Sequence, residues 1–453
     1  MNRREVLGLL GAAAIPGSLL RSARALAQTE SKADFTLHIG PVSVELAPKS
    51  IVKTTGYNGS SPGPLLRMRD GQMVSIDVYN DTSAANLVHW HGLHIPSAVD
   101  GSMEEGTPLI PAHGHSRYSF VAKPAGTRWY HTHISAGRNL NRATYTGEFG
   151  FIYIDPENDA GRYDQEIFLA LKEWDPYFTT AGSDEGLDVG YKYFSINDRA
   201  LGHGEPVRVK ENQRVLFRIL NASATMHRRI GLSGHQFQVI AMDGNPIPVQ
   251  KKTDALELGP AERIDALVEM NHPGVWVLGD ANDHDREHGM GIVIEYSGQT
   301  GAPRWIAPSD QWNYTSFGNA AGSDPATSAD APERLPLVIE KKFAGSHWMD
   351  KWTINGKEFP KTDPLRVRAN GRYRLVFDNR SDEAHPLHLH RHSFELTKVD
   401  GKATSGVLKD VVVVSAKSQV EADFVANNPG LTLFHCHQQM HMDYGFMNLM
   451  EYV

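Results

Sequence analysis

The stretch Gly430-Leu-Thr-Leu-Phe-His-Cys-His-Gln-Gln-Met-His441 decides the class of this chain. A glycine turn feeds a mostly apolar run, Leu431 to Phe434, that reads as a buried β-strand and ends on His435-Cys436-His437. Side chains alternate faces along a strand, so His435 and His437 point one way and Cys436, the single cysteine, points the other. Three more pairs share this spacing: His89/His91, His131/His133 and His388/His390. Eight imidazoles can thus converge on one cluster. Cys436 then faces a second metal site that it could share with His385 and His441, one residue's backbone away from two cluster ligands.

Working outward, the chain repeats itself. Gly71-QMVSIDVY-Asn80, Asn212-QRVLFRIL-Asn221 and Gly371-RYRLVFD-Asn379 are β-rich runs that each end on asparagine. His89 and His91 follow Asn80 by nine and eleven residues, and His388 and His390 follow Asn379 by the same intervals. Six residues after the asparagines stand Asn86, His227 and His385, so the first copy lacks the histidine that would partner a blue-copper cysteine. A second repeat, Gly126-TRWY-His131, Gly274-VWVL-Gly279 and Gly430-LTLF-His435, carries HTH and HCH in the outer copies but Gly279-Asp280-Ala281 in the middle one. The middle copy has lost its ligands, and His227 there reads as structural. Three β-rich copies punctuated by Gly, Pro, Asn and Asp turns predict an all-β chain of Greek-key sandwiches or barrels. The domains are expected at 33–160, 161–300 and 336–453, with a Gly/Ala/Ser/Asp/Pro-rich linker at 301–335.

Ligand chemistry narrows the metal. Two imidazoles and a thiolate with a weak or absent axial ligand form the blue-copper arrangement, which makes copper the leading candidate. Zinc accepts the same atoms, but its structural sites close with four ligands at CxxC or HxxxH spacings, and no CxxC occurs here.

Together, HWHG at 89–92, WYHTH at 129–133, HPLHLH at 385–390 and HCHQQMH at 435–441 resemble the four copper-binding motifs of the multicopper oxidases, the family of laccases and bacterial cuprous oxidases. The resemblance spans nearly the whole chain after residue 27 and implies three cupredoxin domains. It also implies four copper ions: a type 2 ion on His89 and His388, and a type 3 pair on His91, His131 and His435 and on His133, His390 and His437. His385, Cys436 and His441 would hold type 1 copper. Such a protein collects single electrons from a phenol, an aromatic amine or a metal ion and delivers four of them to O2, giving water without releasing peroxide. Asp100, in HIPSAVDG, occupies the position where the family places a proton-supplying acid; it also suits an Asp-Gly turn.

The pattern departs from the family in several places. Phe446 stands where many bacterial members carry the axial methionine of type 1 copper, and a one-residue shift would substitute Met447. A phenyl ring cannot coordinate, which implies a raised potential. Met442, followed by Asp443, replaces a common glutamate, and Arg391 replaces a common glycine. No methionine-rich insertion is present: Met440, Met442, Met447 and Met450 read as packing residues. His284 and His288 read as part of a polar loop. An organic phenol or amine is therefore the first expectation for the donor, and a cuprous or other metal ion the second. An exported copper-binding electron carrier would need the type 1 site alone, so the eight paired histidines speak against it.

Composition sets the remaining bounds. A 453-residue chain exceeds one core, and 22 % charged residues describe an ordinary globular protein. Asn2-Arg3-Arg4-Glu5, an apolar stretch to Leu20 and Ala25-Leu26-Ala27 read as a twin-arginine export signal over 1–27, predicting a periplasmic or secreted protein. Cleavage there would remove four basic residues and one acid, moving the net charge from −8 to −11, which argues against nucleic acid. Insertion into a membrane is not expected, and three-domain family members imply a monomer.

Overall fold

The computed structural model describes residues 32–157, 163–180, 186–319, 331–345 and 348–453. The expected export signal lies outside them. Strand makes up about 52 % of the chain and helix 5 %, so β-sheet packing accounts for its layers. Strands run from Phe35 to Asp155, from Gln165 to Tyr296 and from Glu333 to Tyr452, forming six sheets, two in each module. The third module's first strand, Glu333–Lys342, begins three residues before the expected 336. Glu333, Arg334 and Leu335 already pair with Tyr373, Arg374 and Leu375, a pairing that their charged composition conceals.

The asparagine repeat has a structural cause. Asn80, Asn221 and Asn379 end the strands Met73–Asn80, Arg214–Asn221 and Arg372–Asn379 and are buried. Each amide donates to carbonyls across the following turn: Asn80 to Ala84, Ile110 and Pro111; Asn221 to Met226 and Leu258; Asn379 to Glu383, Val414 and Ser415. Each side-chain oxygen accepts the N–H two residues on, from Thr82, Ser223 or Ser381. Buried backbone carbonyls need partners, and this one side chain serves several at once. The turn is thereby fixed, and with it the entry of the next strand, which in the outer modules carries histidines.

That next strand is Val88–His91 in the first module and His385–Leu389 in the third. Each lies against the strand bearing the other His-x-His pair, with His89 opposite His131 and His388 opposite His435. The three modules meet at a buried charge cluster. Asp410 of the third accepts from both terminal nitrogens of Arg263 in the second at 2.7 Å and lies 3.4 Å from Arg128 of the first, all three being 0 % exposed. Part of the expected linker packs too: Trp312, Tyr314 and Phe317 join the core shared by the second and third modules.

Candidate metal centre

All eight paired histidines are buried and meet between the first and third modules. The ring centroids of His91 and His388 are 3.8 Å apart and those of His89 and His390 are 4.0 Å apart, both pairs stacked across the interface. His89 Nε2, His91 Nδ1, His131 Nε2, His388 Nε2 and both nitrogens of His437 are buried without a protein partner. The Nε2 atoms of His133 and His390 converge on Nε2 of His435, at 3.5 and 3.0 Å. Burial pushes His91, His131, His390, His435 and His437 well below the ordinary imidazole range and His133 to about 4, so these six rings present neutral lone pairs to the interior. Neutral imidazole is the ligating form, and unpartnered buried nitrogens on this scale fit metal ions.

The geometry revises one expected assignment. Ligand atoms group as His91/His131/His437 and His133/His390/His435, so the two histidines flanking Cys436 exchange the partners that the resemblance implied. The two modules present equivalent strands to one another. Each group therefore draws two residues from one module and one from the other, and the first group maps onto the second when the modules are interchanged. His89 and His388 share a further group with His91.

On the far face of the same strand, Cys436 Sγ lies 3.5 Å from His441 Nδ1 and 3.8 Å from His385 Nδ1. Burial pushes the thiol well above its ordinary range, and a bound metal would deprotonate it. With Nδ1 of each ring turned to the sulfur, His385 Nε2–H donates to Ser381 Oγ at 2.8 Å and His441 Nε2–H to Glu383 Oε2 at 3.2 Å. These outer partners fix the tautomers. Phe446 is fully buried beside this group, its ring centroid 5.0 Å from that of His385. Met447 packs with Leu433 and Met442.

The two other copies of this site have been rebuilt from hydrogen bonds. In the first module Thr132 stands at the cysteine position; it donates to Asn86 Oδ1 at 2.9 Å, and Asn86 donates to Glu148 at 2.8 Å. In the second, Asp280 accepts from Arg228 at 3.1 Å, and His227 bonds to the Ala384 carbonyl.

Acids surround the cluster. Asp100 is 0 % exposed, with Oδ2 2.8 Å from His390 Nδ1 and 3.2 Å from His89 Nδ1. Burial would raise its carboxyl, but His89 and other neighbours outweigh that and hold it below the usual range. Its neighbour Glu105 is pushed well above, by burial and by Asp100, so the pair keeps a proton on Glu105. Sequence reasoning missed Glu105, and it also missed Asp410, which lies 3.0 Å from His91 Nε2. Asp443, pushed up to about 6 by burial, accepts from the N–H groups of Ala136 and Gly137, just beyond His133.

Arg391 is explained by the structure. Its φ of 60° is the left-handed conformation in which glycine is at ease. Its buried guanidinium donates to the carbonyls of Ile95, Asn428, Pro429 and Leu431 and to Thr432 Oγ1, stitching the first module to the third. Five charge-assisted bonds offset a backbone cost of about 1–3 kcal/mol. His284 and His288 stack on one another at the surface and belong to no group of three metal-ligating residues among the described residues.

Eight buried imidazoles beside a cysteine–bis-imidazole site mark a copper-dependent oxidoreductase that uses O2. Multicopper oxidase family profiles match residues 39–159, 168–298 and 332–452, and the chain belongs to that family. It is 29 % identical to the multicopper oxidase MmcO of Mycobacterium tuberculosis over 92 % of this chain and 86 % of that protein. It is 25 % identical to the multicopper oxidase mco of Staphylococcus aureus, over 91 % and 87 %. Among solved structures, a multi-copper oxidase from Pseudomonas thermotolerans superposes with a TM-score of 0.72 at 24 % identity, covering 93 % of this chain and all of that one. Fet3p, a multicopper oxidase that functions in iron import, superposes at 0.76 with 17 % identity, over 92 % and 90 %. Both likenesses are of fold.

Proposed function

We propose that this chain is an exported, laccase-like oxidase that holds four coppers and draws single electrons from a phenol or aromatic amine at the surface above His441. When bound, copper supplies one-electron acceptance at the cysteine site and four-electron reduction of O2 at the histidine cluster. The protein's part begins at a recess lined by Asp188, Lys341, Asp350, Glu383, Met440 and His441. The observation that carries the reading is Glu383, whose carboxylate bonds the outer nitrogen of His441. Burial would raise it, but His441 and the Lys341 ammonium 2.7 Å away hold it at about 2, so it stays ionised and can accept a hydrogen bond from a donor's hydroxyl. Trp348, 62 % exposed, sits at the recess, its carbonyl accepting the Leu187 N–H at 3.0 Å, and offers a surface on which an aromatic donor can stack. Inside, Cys436 bonds covalently through its backbone to His435 and His437, while Glu105 and Asp443 hold protons near the cluster and Asp100, ionised, faces His390 and His89.

A second reading has its own support. The recess measures about 50 Å³, ion-sized, and combines three carboxylates with the Met440 thioether, a soft ligand suited to a cuprous ion. Oxygen uptake by copper-loaded protein given a phenol or Cu(I) in turn, with visible spectrum and copper content measured on one sample, separates the readings. Glu383→Gln is expected to keep the blue band and lower phenol oxidation by about 10²-fold. A blue protein that consumes no oxygen with any donor would instead be an electron carrier.

A further inference from the structure

A separate cavity of about 330 Å³ opens between the second and third modules and shares no lining residue with the recess above His441. Its volume is that of a small-molecule pocket. Leu258 and Val413 give it aliphatic walls, and Trp312 and Tyr314, edge to face at 6.2 Å, give it an aromatic one. Arg229 and Glu257, 3.3 Å apart and both partly exposed, provide polar groups. Trp312 buries its indole N–H and presents ring carbon to the cavity wall. His227 opens onto the cavity and bonds the carbonyl of Ala384, the residue before His385. The walls approach closely here: a Cβ on Gly259 would come within 2.5 Å of Val413 and 3.2 Å of Pro386. The asparagine repeat had marked His227 as the middle copy's counterpart of His385, and the structure shows it turned outward to this cavity instead.

We propose that this cavity is a second binding site for small phenols, the ring lying against Trp312 and Tyr314, with the hydroxyl donating to Glu257 and accepting from Arg229. The phenol class is that of the donor reading above, but occupancy does not depend on turnover. The test is equilibrium dialysis of the copper-loaded full chain against 4-nitrophenol, a poor electron donor that reports its own concentration by absorbance. Filling the cavity with Val413→Trp is expected to remove one bound equivalent while leaving the blue band in place. Ser418→Phe, at a half-buried turn on the cavity's edge, should do the same and carries the test if Val413→Trp does not fold. Trp312→Ala should weaken that equivalent by about 5-fold, as the loss of an aromatic contact does. Unchanged stoichiometry in both filled variants overturns the proposal and leaves oxygen uptake unaffected. Loss of one equivalent without any phenol-driven uptake upholds this site while refuting the donor reading.

Discussion

Replacing Asp410 with asparagine tests the idea that one buried carboxylate both docks the three modules and aims a copper ligand. The substitution preserves shape and removes a charge. Asp410 takes two 2.7 Å bonds from Arg263, faces Arg128 at 3.4 Å and His91 at 3.0 Å, and accepts from His388 Nδ1 through its backbone carbonyl at 2.8 Å. An amide offers one acceptor and one donor, so its NH2 must confront an N–H of Arg263 or of His91. Arg263 would keep only Asp243, at 3.6 Å, as a charged partner, and a buried cation left so poorly paired costs about 3–5 kcal/mol. Loss of the outer hydrogen bond on His91 lowers metal affinity by about 10–100-fold. Urea unfolding followed by tryptophan fluorescence would read the first effect, and copper retained against graded chelators the second. A variant within about 1 kcal/mol of the parent that retains its full copper would refute the argument, since a charge removed from a dry, three-way junction cannot be silent.

Cys436→Ser should abolish the blue colour and donor oxidation while sparing the fold; a mutant oxidising phenols at the parent rate would sink the electron path. Phe446→Met, a swap of similar volume costing less than about 1.5 kcal/mol, should lower the type 1 potential in a redox titration. An unchanged potential would mean that the thioether does not reach the ion. Asp198 has its carboxyl pushed up to about 8 by burial, above its ordinary 3.8, so the folded state holds its proton more tightly and stability falls as pH rises from about 4 to 8. Asp198→Asn, which also suits the left-handed φ of 60°, should therefore stabilise by about 2–4 kcal/mol at pH 8 and by little at pH 4. Equal effects in thermal melts at both values would contradict the assignment.

Much of this protein was legible in its sequence because the decisive signals are local. Strand alternation puts His435 and His437 on one face and Cys436 on the other whatever surrounds them, and the turn asparagines act within a few residues of themselves. Three β modules, eight converging imidazoles and a second site at His385, Cys436 and His441 follow from spacing and repeat alone. Other features needed the tertiary structure. Which ion each of His435 and His437 serves depends on the near-symmetric apposition of two modules. Glu105, Asp410 and Glu383 carry no motif, and Asp410 reaches His91 across 319 residues of chain. That Phe446 packs beside His385 while Met447 joins Leu433 and Met442 turns on the strand Met447–Tyr452. Arg391 looked anomalous until its five partners, gathered from two modules, came into view. Local periodicity fixes which face a side chain takes, whereas contact between distant faces is decided only when the modules dock.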